Sequence, residues 1–196
     1  MRAASIVRTM RKAHDMTIDR GLLLHLLALA EPYGLLTDVK LQQLAFLCEL
    51  QMFNKRLRGF HFEFYRFPYG AFSKDLDNDL ASLRRKERVE NFSPAETAAD
   101  AVKLVLTAAG ESEANQKIFE ILHAVVGTYG PQDASALTKA VEQVEISKPD
   151  EPEFKITLEQ VSFHSILLVP HRIEVEADFT LKPATLAKWN AALGYS

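Results

Sequence analysis

The sequence predicts a mainly α-helical fold with small β-hairpins (α+β), in which a winged-helix-like helical core carries a C-terminal strand–helix extension. Two long segments, 18–31 and 38–57, repeat apolar residues at helical spacing. Between residues 60 and 65, aromatic residues alternate with polar ones, which is the period of a strand. We divide the chain into a basic arm (1–16), a helical core (17–146) and an extension (147–196).

The composition is that of a globular protein and excludes several classes. Its single cysteine, Cys48, excludes an intramolecular disulfide framework and a Cys-based zinc site. The longest apolar run, 22–30, is far shorter than the roughly 20 residues that cross a bilayer. Residues 1–12 lack the apolar core of a secretory signal. We therefore expect a cytoplasmic protein without membrane association, and the net charge of −3 argues against a protein that coats nucleic acid.

The first two helices have recognisable ends. Thr17 is placed to cap the first helix and Thr37 to cap the second, and Pro32 and Gly34 follow the first helix. The second helix is the more apolar, so we expect it to be central to the core. Its polar residues are predicted to face outward: Lys40, Gln43 and Lys55.

The aromatic segment follows the second helix. Phe60, Phe62 and Phe64 predict one buried face of a half-buried strand. Pro68-Tyr69-Gly70 predicts a turn, and Ser73 is placed to cap a helix over 74–86. The acids early in this helix and the basic residues at its end suit the helix dipole.

A wing is predicted after this helix. Residues 89–92 and 102–106 have the composition of two strands, and the polar segment 93–101 between them would form the wing. Two more helices are expected, at about 112–126 and 133–144.

The last quarter of the chain is acidic and is predicted to contain a strand. Residues 147–153, which include two prolines, predict a linker. Residues 173–181 alternate apolar and polar side chains, which predicts a strand that pairs with 161–169. Pro183 suits the start of a last helix that Gly194 ends. The acidic face of the strand would either attract a basic partner or simply be solvated.

Four motifs resemble the Panacea domain family of SocA-like antitoxins. They are Lys40-Leu-Gln-Gln-Leu44, Phe64-Tyr-Arg-Phe-Pro-Tyr-Gly70, Ser73-Lys-Asp-Leu-Asp-Asn-Asp-Leu80 and Leu106-Thr-Ala-Ala-Gly110. The resemblance covers about residues 20–125. It departs from the family pattern at Gln43, where a Lys is common, and at Ala71, where a Pro is common. Residues after 146 match no part of the family.

The resemblance implies a non-enzymatic module that binds a protein, typically by neutralising a co-encoded toxin or a subunit of a phage-defence system. Aromatic residues are enriched at binding hot spots, and the acidic start of the helix at 74–86 favours a protein partner over DNA. The predicted partner-binding residues are Lys40, Gln43, Tyr69, Gly70, Phe72, Asp75 and Asp79. Packing that fixes the turn is the alternative role for Tyr69 and Phe72.

The alternative function is a winged-helix transcriptional regulator that binds DNA, or an antitoxin that also represses its own operon. The cations available for contacts with nucleic acid are Arg8, Arg11, Arg84, Arg85 and Arg88. Those at the end of the helix at 74–86 are placed for the phosphate backbone and not for reading bases, because a recognition helix enters the groove by its N-terminal half.

No catalytic, cofactor or metal site is predicted. The sequence contains no Gly-x-Gly-x-x-Gly, no phosphate-binding loop and no His-Glu-x-x-His, and its six histidines lack metal-ligand spacing. His25 and Cys48 lie on apolar helices and are expected to be buried core residues.

Overall fold

The computed structural model describes residues 10–34, 37–148 and 151–195. It is mainly helical, with small strand pairs, which confirms the predicted class. The helices are α1 (Ala13–Ala30), α2 (Asp38–Asn54), α3 (Lys74–Arg85), α4 (Ala99–Thr107), α5 (Glu113–Tyr129), α6 (Ala134–Glu142) and α7 (Pro183–Leu193).

The strands are short and form four separate small sheets. They are β1 (Leu57–Arg58), β2 (Phe64–Phe67), β3 (Gly70–Phe72), β4 (Val89–Glu90), β5 (Ser93–Pro94), β6 (Glu145–Lys148), β7 (Glu151–Thr157), β8 (Ile166–Leu168) and β9 (Ala177–Asp178). One antiparallel sheet has the order β3-β2-β8, and β1 pairs with β9 in parallel. The pairs β4–β5 and β6–β7 are antiparallel hairpins.

The core is built around α1 and α2, which are buried along nearly their whole circumference. Each also carries buried polar residues, among them Asp19 and Glu49, but both helices are mostly apolar. Around them pack α3, α4, α5, α6 and α7, and the C-terminal helix contributes the fully buried Trp189. The C-terminal extension is therefore part of the same core.

Several predicted helix ends are confirmed. The hydroxyl of Thr37 accepts a hydrogen bond from the backbone N–H of Lys40, and Ser73 caps α3 in the same way through Leu76. Gly194 ends α7 with a left-handed φ of 88°, which glycine adopts without strain. The first helix is different: it begins at Ala13, and Thr17 lies inside it, where its hydroxyl donates to Asn190 Oδ1 at 2.6 Å.

The predicted half-buried strand over 60–65 is wrong in its first part. Only Phe64 and Tyr65 belong to a strand, and residues 60–64 are buried on both sides. The backbone N–H of His61 donates to Asp19 Oδ1 at 2.9 Å, and that of Phe62 donates to Glu49 Oε1 at 3.1 Å. Two carboxylates from α1 and α2 thus replace the neighbouring strand that would satisfy these groups.

The predicted wing is also wrong. The hairpin β4–β5 turns through Asn91 and Phe92 alone, and the segment expected to form the second strand is the helix α4. Its Ala101 and Val105 are buried four residues apart, so the apolar pattern there is helical. The winged-helix character of the core stays a prediction.

The C-terminal segment departs most from the expectation. Residues 149 and 150 of the predicted linker lie outside the described residues, and the rest of it belongs to the paired strands β6 and β7. The strand β8 pairs with β2, and only Ala177 and Asp178 of the strand predicted over 173–181 are extended and paired. The acidic stripe is not free either. Glu176 Oε1 lies 3.2 Å from Arg56 Nε, and Asp178 Oδ1 lies 2.6 Å from Arg58 Nε.

Within the described ranges, no single helix is both long enough and apolar enough to cross a membrane, and α1 and α2 would meet that condition only as a pair bent by 119°.

Two helical glycines give a matched test of the packing between α1 and α7. A Cβ atom at Gly21 would overlap the ring of Trp189, whereas one at Gly127 in α5 would meet no atom within 4 Å. Replacing glycine with alanine in a helix stabilises by about 0.5–1 kcal/mol, but overpacking a core costs about 1–3 kcal/mol. We expect Gly21→Ala to lower the free energy of unfolding by about 1 kcal/mol or more and Gly127→Ala to raise it. Urea denaturation measures both, and a stabilised Gly21→Ala would contradict this packing.

Candidate protein-binding surface

Two buried glutamine side chains of α2 form hydrogen bonds along the outer edge of the hairpin β2–β3. Gln43 accepts from the N–H of Ala71 and donates to its carbonyl, both at 3.0 Å. Gln42 makes the same pair of bonds with Ser73, at 2.8 and 3.0 Å. The groups of Ala71 lie on the outer edge of β3 and those of Ser73 directly follow it, and within the described ranges no further strand pairs with this edge. The amides complete the edge as a neighbouring strand would.

The turn residue Gly70 is fitted to this arrangement. Its φ is +107°, which side-chain-bearing residues rarely adopt, and a Cβ atom there would overlap the amide of Gln43. Lys40 is also turned inward, since its Nζ donates to the carbonyl of Gly130 at 2.6 Å. Lys40 and Gln43 are buried, so the prediction that they face outward is wrong. Gly70 is also buried. Gln43 and Gly70 belong to the support of the hairpin, Lys40 is bonded to the end of α5, and none of the three is available for contact.

The sheet β3-β2-β8 leaves one aromatic face partly open. Side chains alternate between the two faces of a strand, and Phe64, Arg66, Ala71 and Leu168 are buried on the inner face. Phe67 and Phe72 lie on the other face with their ring centroids 4.8 Å apart, and the ring of His164 meets Phe67 edge-on at 5.3 Å.

Two further exposed side chains complete a defined surface. Ile166 of β8 pairs with Tyr65 of β2 and is 40% exposed. Tyr69, at the tip of the turn, is 65% exposed. We call this surface the aromatic face and define it as Phe67, Tyr69, Phe72, His164 and Ile166. Tyr69 and Phe72 were predicted from the sequence. His164 and Ile166 were missed, because only the pairing of β8 with β2 brings them there.

The acids of α3 do not form the free carboxylate surface that the sequence predicts. Asp79 is buried, and Arg11 Nη1 and Arg20 Nε lie 2.7 and 3.2 Å from its carboxylate oxygens. Asp75 lies 3.9 Å from Arg11 Nε, and Asp77 lies 3.2 Å from the ammonium of Lys74. Asp79 is thus excluded as a contact residue, and the acidic start of the helix no longer argues for a protein partner over DNA.

Asp19 joins this ion network to the aromatic segment. Its Oδ2 lies 2.8 Å from Arg11 Nη1, and its Oδ1 lies 2.9 Å from His61 Nδ1. Asp19 and Asp79 are almost inaccessible to solvent, and a buried carboxylate is tolerated only when cations or donors surround it. Arg11 supplies the charge to both and lies over the ring of Phe62.

The pKa values of these groups follow from burial and from their neighbours. Burial disfavours the charged guanidinium of Arg11, but Asp79 and Asp19 outweigh it and raise its pKa. Burial raises the pKa of Asp79 even though Arg11 opposes the shift. Burial lowers the affinity of His61 for a proton, but Asp19 and Asp15 raise its pKa above the ordinary value. Burial and the charge of Asp19 raise the pKa of Glu49 well above its usual range.

Three of the arginines predicted to contact nucleic acid are engaged within the protein. Arg11 lies in the ion network, Arg84 donates to the carbonyl of Asn91 and lies over the ring of Phe92, and Arg88 donates to the carbonyl of Ala192. Arg85 is exposed, and Arg8 lies outside the described residues. Of the four that the structure describes, three are therefore engaged within the protein, and Arg85 is exposed.

His25 and Cys48 are buried core residues, as predicted. The ring of His25 meets Phe119 edge-on at 5.0 Å, and burial, together with the nearby His123, lowers its pKa to about 4. Burial and the charge of Glu49 raise the pKa of the Cys48 thiol, which makes it unreactive. Across the described ranges, no group of three or more His, Cys, Asp or Glu side chains is arranged to hold a metal ion.

Comparisons with known proteins give no match: no family model, no curated protein and no solved structure matches the chain.

The contribution of the Gln43 amide to stability can be tested against a control position in the same helix. Gln43→Ala leaves the N–H and C=O of Ala71 buried without partners, and each such group costs about 1–3 kcal/mol. We expect the free energy of unfolding to fall by about 2 kcal/mol or more, measured by urea denaturation. The matched control is Gln51→Ala, an exposed position of α2, where we expect a change within about 0.5 kcal/mol. Equal effects at both positions would show that the amide does not support β3.

The buried titratable groups predict that the folded chain loses stability as the pH rises. The pKa of His61 is raised in the folded chain, so its stabilisation is complete below the unfolded pKa of about 6.5 and is lost as pH rises through the folded value. Glu49 acts with the same sign. We expect thermal stability to fall above about pH 6.5, and less so in His61→Gln. Glu49→Gln isolates the histidine contribution, and exposed His123→Gln is the control. An unchanged pH profile in His61→Gln would refute this role.

Proposed function

We propose that this chain is a cytoplasmic, non-enzymatic protein-binding module that neutralises a partner polypeptide in the manner of an antitoxin, in a bacterial toxin–antitoxin or phage-defence system. The observation that carries the proposal is the aromatic face, in which Phe67, Phe72 and His164 are packed together and partly open beside the exposed Tyr69 and Ile166. The resemblance of its motifs to those of SocA-like antitoxins supports the same function.

The chemistry of this face suits a polypeptide. Clustered aromatic side chains provide large contact areas with few rotatable bonds, and tyrosine is enriched at binding hot spots. The hairpin that carries Tyr69 is fixed by the four amide bonds from Gln42 and Gln43. A surface that is already ordered loses little conformational freedom when it binds.

DNA binding is the weaker candidate, because it needs cations that are free to release counterions from phosphates. Arg11, Arg84 and Arg88 already pair with carboxylates or carbonyls of the same chain. If a gel shift showed that the protein binds the DNA upstream of its own reading frame tightly and in a salt-sensitive way, transcriptional regulation would nonetheless be established as its function.

The test is neutralisation in cells. The protein is co-expressed with the product of the adjacent reading frame, and growth is compared with that of cells expressing the product alone. We expect the wild type to restore growth and the double variant Tyr69→Ser, Ile166→Asp to fail, with binding weakened at least tenfold, since truncated hot-spot residues cost about 2 kcal/mol or more.

The control for surface hydrophobicity is Phe154→Ser, Leu106→Asp, which changes two apolar residues that are 58% and 50% exposed and lie on β7 and α4. Circular dichroism confirms that both double variants are folded. Full neutralisation by the Tyr69, Ile166 variant, or equal loss in the control, would reject the aromatic face as the binding surface.

A further inference from the structure

The sheet β3-β2-β8 has two outer edges, which differ in how their backbone groups are satisfied. Along β3, the side-chain amides of Gln42 and Gln43 bond to the backbone groups of Ser73 and Ala71. Along β8, within the described ranges, no further strand pairs with the outer edge. A strand edge whose N–H and C=O groups lack partners is a template on which another extended chain can pair.

The hydrogen bonds between β2 and β8 show which backbone groups of β8 face outward. The N–H of Arg66 donates to the carbonyl of Ser165 at 2.8 Å, and the carbonyl of Arg66 accepts from the N–H of His164 at 2.7 Å. Arg66 therefore faces β8. In an antiparallel ladder the next pair, Tyr65 and Ile166, turns its backbone groups away from each other. The N–H and C=O of Ile166 thus point to the outer edge, where no backbone group of the described residues outside the sheet bonds to them.

The edge at Ile166 is open to a partner. Ile166 is 40% exposed, and residues 162–164 before it are exposed as well. Natural proteins commonly protect an exposed edge with a charged side chain or a proline. The segment 162–169 contains no Lys, Arg, Asp, Glu or Pro. Nothing in its sequence therefore opposes pairing with another chain.

Irregular pairing on both sides of Ile166 limits how much of the edge can pair. His164 has a left-handed φ of 68°, and both His164 and Ser165 bond to Arg66. The register shifts again between Phe64 and Tyr65. Bulges of this kind bend a strand and end its regular pairing. The edge therefore offers one pair of hydrogen bonds centred on Ile166, which fits a short extended segment.

The side chain that such a segment would place beside Ile166 is also defined. Residues directly opposite each other on neighbouring strands project their side chains to the same face of the sheet, with Cβ atoms about 4.5–5.5 Å apart. Ile166 belongs to the aromatic face, so the residue bonded to it would add its side chain to that face. An apolar side chain would cover Ile166, whereas a charged one would lose water without gaining a partner.

We propose that the partner polypeptide adds a short extended segment to the open edge of β8, with an apolar residue hydrogen-bonded to the N–H and C=O of Ile166. This inference rests on the proposed function and names the form in which the partner is recognised. Main-chain hydrogen bonds of this kind contribute affinity, and the alternate side chains of the added strand contribute specificity.

The first test follows amide hydrogen exchange by NMR in the full chain, alone and bound to the product of the adjacent reading frame. In the free protein we expect the amide of Ile166 to exchange quickly and that of Arg66, which is bonded to Ser165, to exchange slowly. In the complex we expect exchange at Ile166 to slow at least tenfold. A complex that forms without slowing this exchange would refute edge pairing and leave the aromatic face as the binding surface.

The second test separates the backbone of Ile166 from its side chain. Ile166→Val retains the N–H and a branched apolar side chain. Ile166→Pro removes the N–H, and proline is accommodated on an edge strand where that group faces outward. We expect Ile166→Pro to bind the same product at least tenfold more weakly than Ile166→Val, with both variants folded by circular dichroism.

The possible results are distinguishable. Equal binding by the two folded variants would overturn the proposal. If Ile166→Pro does not fold, the exchange rate at Ile166 in the wild-type complex decides. If the wild type does not bind the product at all, the proposed function itself is wrong, and this inference is rejected with it.

Discussion

Buried backbone groups that have no neighbouring strand are the constraint on which this structure depends. The edge of β3 lies against α2, and the segment that begins at Phe60 lies against α1 and α2, where water does not reach their N–H and C=O groups. Side chains of the two central helices satisfy them: Asp19, Gln42, Gln43 and Glu49. Because an unpaired buried polar group costs free energy, two apolar helices have to carry polar residues at these positions.

Using carboxylates for this purpose brings further groups into the core. Asp19 accepts from the backbone of His61, and its negative charge has to be balanced where it is buried. Arg11 and the imidazole of His61 do so, and Arg11 in turn holds Asp79 of α3. One backbone hydrogen bond thus leads to an ion network that ties the residues before α1 to α3, which explains why Arg11 is not a free cation of a basic arm.

The sequence predicts the features of the fold that depend on local chemistry. The capped starts of α2 and α3, the Tyr69–Gly70 turn and the end of α7 at Gly194 are where the residue types place them. Features that depend on distant partners could not be predicted. The local sequence around a helical glutamine is the same whether water or the edge of a strand bonds to its side-chain amide. The sequence therefore predicts Gln43 at the surface, although its amide bonds to the edge of β3. The alternating acids near the C-terminus have the period of a strand, but Arg56 and Arg58 pair with two of them and the segment has little regular structure.

The motifs that carry the family resemblance therefore have two different physical roles. Gln43 and Gly70 meet at the hairpin, where both are buried, and Lys40 is buried against the carbonyl of Gly130 at the end of α5. These residues fix the backbone beneath the surface and do not form the surface itself. Tyr69 is exposed at the tip of the hairpin. Ile166, which the motifs do not include, reaches the same surface through the pairing of β8 with β2. The aromatic face therefore combines side chains from within the motifs, Phe67 and Tyr69, with His164 and Ile166, which only the distant strand β8 and the segment before it supply.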